Sequence, residues 1–278
     1  MAEVTASMVK ELRELTGAGM MDCKAALEEA NGNFEEAVTI LRKKGQKVSS
    51  KRADKEASEG AVFVQTNQDA TEGLVLALNC ETDFVAKNEE FLQMGQLVFN
   101  TALAQHPASV EALLQAEAEG RPVQDILNDF MGKVGEKIEI SAYEFVQADK
   151  VLTYLHSNNK VGVLVGLVGI GSHEVEQVGK DIAMQIAAMK PVALDESDVP
   201  QEIKDREMEI GRELARQEGK PENIIDKVAE GKLKKFYQEN TLLHQQFVKD
   251  NSKTIAQLLK EISGELKVNG FRRVEIGA

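Results

Sequence analysis

Glycine, histidine and cysteine occur where they could support catalysis, and in each place a group that the chemistry needs is missing. Gly166 and Gly171 frame a four-residue loop, but Ser172-His173 follow where a phosphate cradle requires Lys and then Ser or Thr. Gly169-Ile170-Gly171 lies between an expected strand and an expected helix, yet Glu174 stands where a dinucleotide motif has its third glycine. His106, His156, His173 and His244 are isolated, with no His-x-x-x-His or Cys-x-x-Cys spacing, so they read as surface or satisfied histidines. Cys80, near Asp83, has no general base close in sequence. Thr82-Asp83-Phe84-Val85 offers a non-covalent chemistry instead. Thr82 can cap a short turn, leaving an acid and an aromatic at a helix start that projects from a rigid sheet. Two readings of the aromatic stand side by side: Phe84 is an exposed wedge for a partner, or it packs under the loop while Asp83 serves as a capping acid.

The elements around this stretch form an internal repeat. Gly73-Leu74-Val75-Leu76-Ala77-Leu78 matches Gly162-Val163-Leu164-Val165-Gly166-Leu167 at an offset of 89, and both runs are apolar and β-prone. Further on, Phe91-x-x-x-Gly95 and His106-Pro107 match Val175-x-x-x-Gly179 and Lys190-Pro191 at an offset of 84. The first copy thus holds five more residues between strand and helix, and Thr82-Asp83-Phe84 lies in that excess. A repeat of this length is one supersecondary unit used twice, so the difference between copies is a place to look for function. In the first copy, strands are expected at 61–64 and 74–79, a helix at 89–105 capped by Asn88, a polar helical region at 110–133 and a strand at 137–146. In the second, strands fall at 151–156 and 161–168 and a helix at 174–189. The core is then an α+β pair of pseudo-equivalent subdomains.

Composition sets the outer limits. A chain of 278 residues with 42% apolar residues can bury a proper core in about two domains. The longest apolar run, residues 161–170, carries three glycines and reads as a buried strand, far short of the ~20 residues of a membrane helix. Met1-Ala2-Glu3-Val4-Thr5 has neither an apolar signal core nor an Arg-rich bias, and Cys23 and Cys80 read as buried thiols, so a cytoplasmic location is expected. A formal charge of −13 argues against general nucleic-acid binding and favours a protein partner.

Three short helices are expected at the N-terminus, the first capped by Thr5 with Met8, Leu12 and Leu15 on one face, the third capped by Asn33. So small a module buries little surface and is inclined to use a partner. Met20 and Met21 follow the Thr16-Gly17-Ala18-Gly19 turn, where they fill the small core or project as adaptable contacts. Seven basic residues from Arg42 to Lys55, without aromatics, read as a solvated linker and a domain boundary. Residues 198–237 read as an antiparallel helical hairpin, with Ile203, Ile210 and Leu214 facing Ile225, Val228, Leu233 and Phe236. Gly219 ends its first helix and Pro221 opens the second. The thin apolar seam and charged flanks suggest that it protrudes from the core.

Thr16-Gly17-Ala18-Gly19-Met20-Met21-Asp22-Cys23-Lys24, Asn79-Cys80-Glu81-Thr82-Asp83-Phe84-Val85-Ala86-Lys87 and Ser252-Lys253-Thr254-Ile255-Ala256-Gln257-Leu258-Leu259-Lys260-Glu261 resemble the bacterial elongation factor Ts family, and the likeness runs essentially end to end. The resemblance implies an N-terminal three-helix ubiquitin-associated-like domain plus basic linker over 1–54, and core subdomains at 55–146 and 147–278. A coiled-coil insertion is implied at about 198–237. The implied activity is guanine nucleotide exchange on the GTPase elongation factor Tu during translation elongation, without covalent chemistry, cofactor, metal, nucleic acid or membrane. Thr82, Asp83, Phe84 and Val85 would disturb the GTPase's magnesium site. Arg13, Met20 and Met21 would be the N-terminal contacts, which decides the methionines in favour of projection. Some relatives continue into a C-terminal helical module that also grips the partner; this chain ends at Ala278, so that contact is expected to be absent. The rival reading is an adaptor or holdase that binds protein without exchange activity.

Overall fold

A computed structural model describes residues 4–277; Met1, Ala2 and Glu3, on which the leader expectation partly rests, and Ala278 lie outside the described residues. The chain opens with α1 (Ala6–Thr16), α2 (Met20–Glu29) and α3 (Phe34–Arg52). Thr5 caps α1 by accepting the Met8 N–H at 3.3 Å, and Asn33 caps α3 by accepting the Glu36 N–H at 3.1 Å. Both meet amides that the first helical turn leaves unpaired. Val9, Leu12, Cys23, Ala26, Leu27, Ala30 and Ala37 fill the small core between the helices. Leu15, expected in that core, is 69% exposed. At about 100° per residue it lies roughly 90° round the helix from the centre of the Val9/Leu12 face.

The stretch from Arg42, expected as a solvated linker, is the second half of α3 and continues unbroken to Arg52. Gly45 explains the difference. It is buried against α7 (Val123–Val134), where a Cβ would sit 2.6 Å from the Asn128 carbonyl oxygen, and a Cβ on Gly132 of α7 would sit 2.9 Å from the Gly45 Cα. A glycine that reads as a chain breaker here lets two helix backbones approach closely. Arg42, Lys43, Lys47 and Lys51 line the exposed side of that helix.

The first core unit continues with β1 (Glu59–Thr66), β2 (Glu72–Cys80), α4 (Asp83–Ala86), α5 (Glu89–Gln105), α6 (Val110–Gln115), β3 (Glu117–Ala118), β4 (Arg121–Pro122), α7 and β5 (Ile138–Gln147). The helical region expected at 110–133 is broken by the β3–β4 hairpin, because Glu119 and Gly120 both take positive φ (51° and 77°) at its two-residue turn. The second unit holds β6 (Lys150–Leu155), β7 (Val161–Val168), α8 (Glu176–Met189), α9 (Gln201–Gln217), α10 (Glu222–Asn240), β8 (Gln246–Phe247), β9 (Asp250–Thr254), α11 (Ile255–Ile262) and β10 (Lys267–Glu275).

Two antiparallel three-stranded sheets, β1-β2-β5 and β6-β7-β10, carry the repeat. Gly95 of α5 packs on Phe63 and Leu78, and Gly179 of α8 packs on Leu152 and Leu167. The helix pair keeps the offset of 84, and both sheet pairs keep 89. His106 and Lys190 end their helices in the same left-handed conformation, at φ 47° and 48°. Between the units the backbone bonds are reciprocal: the Val62 N–H donates to the Asn159 carbonyl at 2.7 Å and the Val151 N–H to the Ala70 carbonyl at 2.6 Å. Val62, Val75, Val151 and Leu164 share the apolar cluster there. The chain is therefore an α+β protein whose core is one motif used twice.

The hairpin lies where expected, with Gly219 (φ 70°) just past α9 and Pro221 capping α10. Its seam keeps Ile225 as expected but not Ile210 and Leu214. Gly211, Ala215, Ile225 and Ala229 are buried between the helices, whereas Ile210 and Leu214 are 43% and 41% exposed. A Cβ on Gly211 would sit 3.0 Å from the Ala229 Cα, so small residues bring the backbones together and turn the larger ones outward. Among the described residues no helix is long and apolar enough to cross a membrane.

Candidate functional site

Strand β2 is almost wholly buried and delivers the chain to the turn at residues 81–87. Glu81 comes first. Its carboxylate accepts Arg52 Nη1 at 3.0 and 2.7 Å through its two oxygens, and Oε1 also accepts the Lys137 backbone N–H at 2.7 Å. Thr82 follows. Its backbone N–H donates to Glu136 Oε2 at 3.0 Å and its hydroxyl to Glu136 Oε1 at 2.7 Å. The same hydroxyl oxygen accepts the Val85 N–H at 3.4 Å, which makes Thr82 the expected cap of α4.

Helix α4 has an inner and an outer side. Val85 and Ala86 are buried in the cluster formed by Leu78, Cys80, Phe91 and the residues packed on them. Phe84 points the other way and is 83% exposed. Of the two readings open for Phe84, packing under the loop is excluded. Val85, grouped with the partner-contacting residues on the strength of the resemblance, is 8% exposed and anchors the turn from beneath. Asp83 is partly exposed and paired with Lys87 at 2.7 Å. The hydrogen bond from Lys87, then its charge, hold the Asp83 carboxyl below the usual carboxylate range, and the same contact raises the Lys87 ammonium. The pair therefore stays ionised at neutral pH; the contact is lost on the acid side as pH falls through the lowered Asp83 value and on the alkaline side as pH rises through the raised Lys87 value.

A shallow cleft beside Phe84 is bordered by Glu59, Leu92, Asn159 and Lys160. Lys160 comes from the β6–β7 turn of the second unit and pairs with Glu59 at 2.7 Å. Sequence reasoning passed over Lys160, Glu59 and Glu136, because nothing in their spacing marks them and only folding brings them to the turn.

On the N-terminal unit, Met20 and Met21 are 58% and 74% exposed, and the side chain of Arg13 is also at the surface. The core-filling reading of the methionines is overturned: alanines and Cys23 occupy that space.

The groups that could have done covalent chemistry are otherwise engaged. Burial, and then the negative charges of Glu136 and Glu59, push the Cys80 thiol up to about 12, so it is no thiolate nucleophile at neutral pH. The Gly169 N–H, one of the amides a phosphate loop would offer, donates instead to the Asp149 carboxylate at 2.7 Å. His106 lies 3.1 Å from Glu72 and stacks on Phe145. Among the described residues no group of three or more His, Cys, Asp or Glu side chains is placed to hold a metal ion. The arrangement presents an aromatic and an acid on a stiffly held turn, which is the equipment of a binding surface.

Comparison with known proteins agrees in extent and position. The family model described as elongation factor TS matches residues 81–278, beginning at Glu81. The chain is 48% identical over 275 residues to elongation factor Ts of Amoebophilus asiaticus (strain 5a2), covering 99% of both chains. It is 48% identical over 277 residues to elongation factor Ts of Christiangramia forsetii, covering 100% of both. Elongation factor Ts of Chlorobium phaeobacteroides (strain BS1) is 41% identical over 288 residues, again across 100% of both chains. Likeness at this identity over the whole length, on a duplicated α+β core, shows that the chain belongs to the elongation factor Ts family.

Proposed function

We propose that the chain is a guanine nucleotide exchange factor that binds elongation factor Tu, disturbs its magnesium and phosphate site and promotes GDP release during translation elongation in the cytoplasm. The observation that carries this reading is Phe84, 83% exposed on a turn held by Glu136 at the Thr82 amide and by the Glu81 carboxylate on the Lys137 amide. An apolar ring of this size is held in water at a cost, and covering it on a partner recovers that cost. Phe84 is the wedge. Asp83 acts beside it by placing negative charge and hydrogen-bonding capacity near the metal and phosphates. Thr82 and Val85 hold the turn, one as its cap and the other as its buried anchor. Arg13, Met20 and Met21 form a second contact on the N-terminal unit, which we take as a ubiquitin-associated-like domain over residues 1–54. Core subdomains span 55–146 and 147–278, with the α9–α10 pair as a coiled-coil insertion.

No nucleophile is required for this activity. A factor that weakens nucleotide binding is itself bound less tightly once nucleotide returns, because coupling between two ligands of one protein is reciprocal. Affinity measurements test this. The chain is expected to bind nucleotide-free elongation factor Tu on the order of a hundredfold more tightly than the GDP-loaded form, a coupling within the usual range between linked sites. Equal affinity for the two forms would favour the adaptor or holdase.

A further inference from the structure

Two carboxylates hold the Phe84 turn by a reciprocal arrangement. Glu81 accepts the backbone N–H of Lys137, the residue after Glu136, at 2.7 Å. Glu136 in turn accepts the backbone N–H of Thr82, the residue after Glu81, at 3.0 Å, and the Thr82 hydroxyl at 2.7 Å. Each acid thus grips the chain beside the other acid. The Glu81 side chain is only 16% exposed. A carboxylate so far removed from water is held best by a cation within hydrogen-bond distance. That cation is Arg52, whose Nη1 lies 3.0 and 2.7 Å from the two Glu81 oxygens.

Arg52 belongs to neither of the segments that it joins. It is the last residue of α3, the helix whose first half builds the N-terminal core and whose second half lies along α7 through Gly45 and Gly132. The N-terminal unit is therefore fastened to the core by a continuous helix, and that helix ends on the clasp under Phe84.

We infer that Arg52 is a positioning residue for nucleotide exchange: by neutralising Glu81 it keeps the Glu81/Glu136 clasp closed and so holds Phe84 in the orientation its partner meets. This rests on the exchange reading above. Without the guanidinium, Glu81 is left largely out of water with no counter-ion, and it regains solvation by turning outward and releasing the Lys137 amide. Thr82 then loses the support behind its own bonds to Glu136. The wedge must afterwards be ordered at the moment of binding, which removes free energy from the step that expels nucleotide. The loss falls on the maximal rate of release, because the wedge favours the nucleotide-free state. Contacts such as Met20 and Met21, made in both states, set the concentration needed for half-maximal effect.

The test uses the full chain and measures GDP release from elongation factor Tu over a range of factor concentrations. Arg52→Gln is expected to lower the maximal rate about tenfold, equivalent to about 1.4 kcal/mol, with little change in the half-saturating concentration. Two further variants are each expected to stay within about threefold of wild type. One is Arg52→Lys, which keeps the charge; the other is the double variant Arg52→Gln/Glu81→Gln, which removes both charges while the substituted side chain's amide oxygen still accepts from Lys137. A role confined to docking the N-terminal unit predicts the opposite pattern. Half-saturation would then rise, and the double variant would be no better than the single one. Either of those results overturns the inference, as does a wild-type maximal rate for Arg52→Gln measured beside a slowed Phe84→Ala control. If Phe84→Ala is also as fast as wild type, the exchange reading itself fails and this inference falls with it. Should Arg52→Gln yield no folded protein, the other two variants decide, and a loss of about tenfold in either refutes the proposal.

Discussion

Replacing Phe84 by alanine is expected to slow GDP release from elongation factor Tu about thirtyfold at saturating factor, while the free variant unfolds as wild type does. The rate loss follows from the ring's place as an anchor: truncating an aromatic hot spot costs ~2 kcal/mol or more, and that energy converts to about thirtyfold in an equilibrium constant. It falls on release because only differential binding to the two nucleotide states can shift that equilibrium. Stability is spared because the ring, 83% exposed, is packed against little that folding buries. Stopped-flow release of a fluorescent GDP analogue, run beside thermal unfolding of the same preparation, gives both numbers. A large loss of stability would sink the wedge assignment, and so would an unchanged rate.

Phe91→Ala should do the reverse. Seven residues further on, Phe91 is fully buried in the first core cluster, with its ring centroid 6.2 Å from that of Phe130 at a tilt of 46°. Removing a buried phenylalanine leaves a cavity the surrounding strands and helices fill only in part, at a cost of ~3–5 kcal/mol. Denaturant unfolding should therefore show a much lower midpoint with little change in slope. A loss under about 1 kcal/mol would mean that this cluster tolerates far more relaxation than a core packed like an organic crystal allows. On this expectation two phenylalanines so near in sequence divide between partner contact and stability, Phe84 on the outer side of α4 and Phe91 on the buried face of α5.

That division was only half legible in the sequence. The repeat was readable because its strands and helices are bound to each other by apolar periodicity. The offsets of 89 and 84 reappear in the contacts of Gly95 and Gly179. The cap at Thr82 was readable because capping is local chemistry between residues three apart. Whether Phe84 faced in or out was not, since a short turn has no periodicity long enough to assign a face. The structure decides it through Val85 and Ala86, which take the inner side.

The readings that failed did so where one residue type serves two purposes. Gly45 among lysines looks the same in a solvated linker as in a helix that must lie close to another, and only α7 distinguishes them. In the α9–α10 hairpin the large apolar residues seemed the natural seam. Gly211 and Ala229 instead set a close backbone approach, so Ile210 and Leu214 lie outside while Ile225 stays in the seam. The clasp of Arg52, Glu81 and Glu136 left no signal at all. In a chain with 46 acidic and 33 basic residues, a chance pairing of charges far apart in sequence is indistinguishable from a designed one until the fold brings them together.

This chain is expected to speed loss of GDP from elongation factor Tu, and to do so repeatedly. Elongation factor Tu loaded with labelled GDP, chased with unlabelled nucleotide in the presence of far less than one equivalent of this chain, measures it directly. The predicted result is accelerated release of all the bound label, because each copy leaves once nucleotide returns and acts again. Release at the spontaneous rate, or a burst no larger than the amount of chain added, would contradict it.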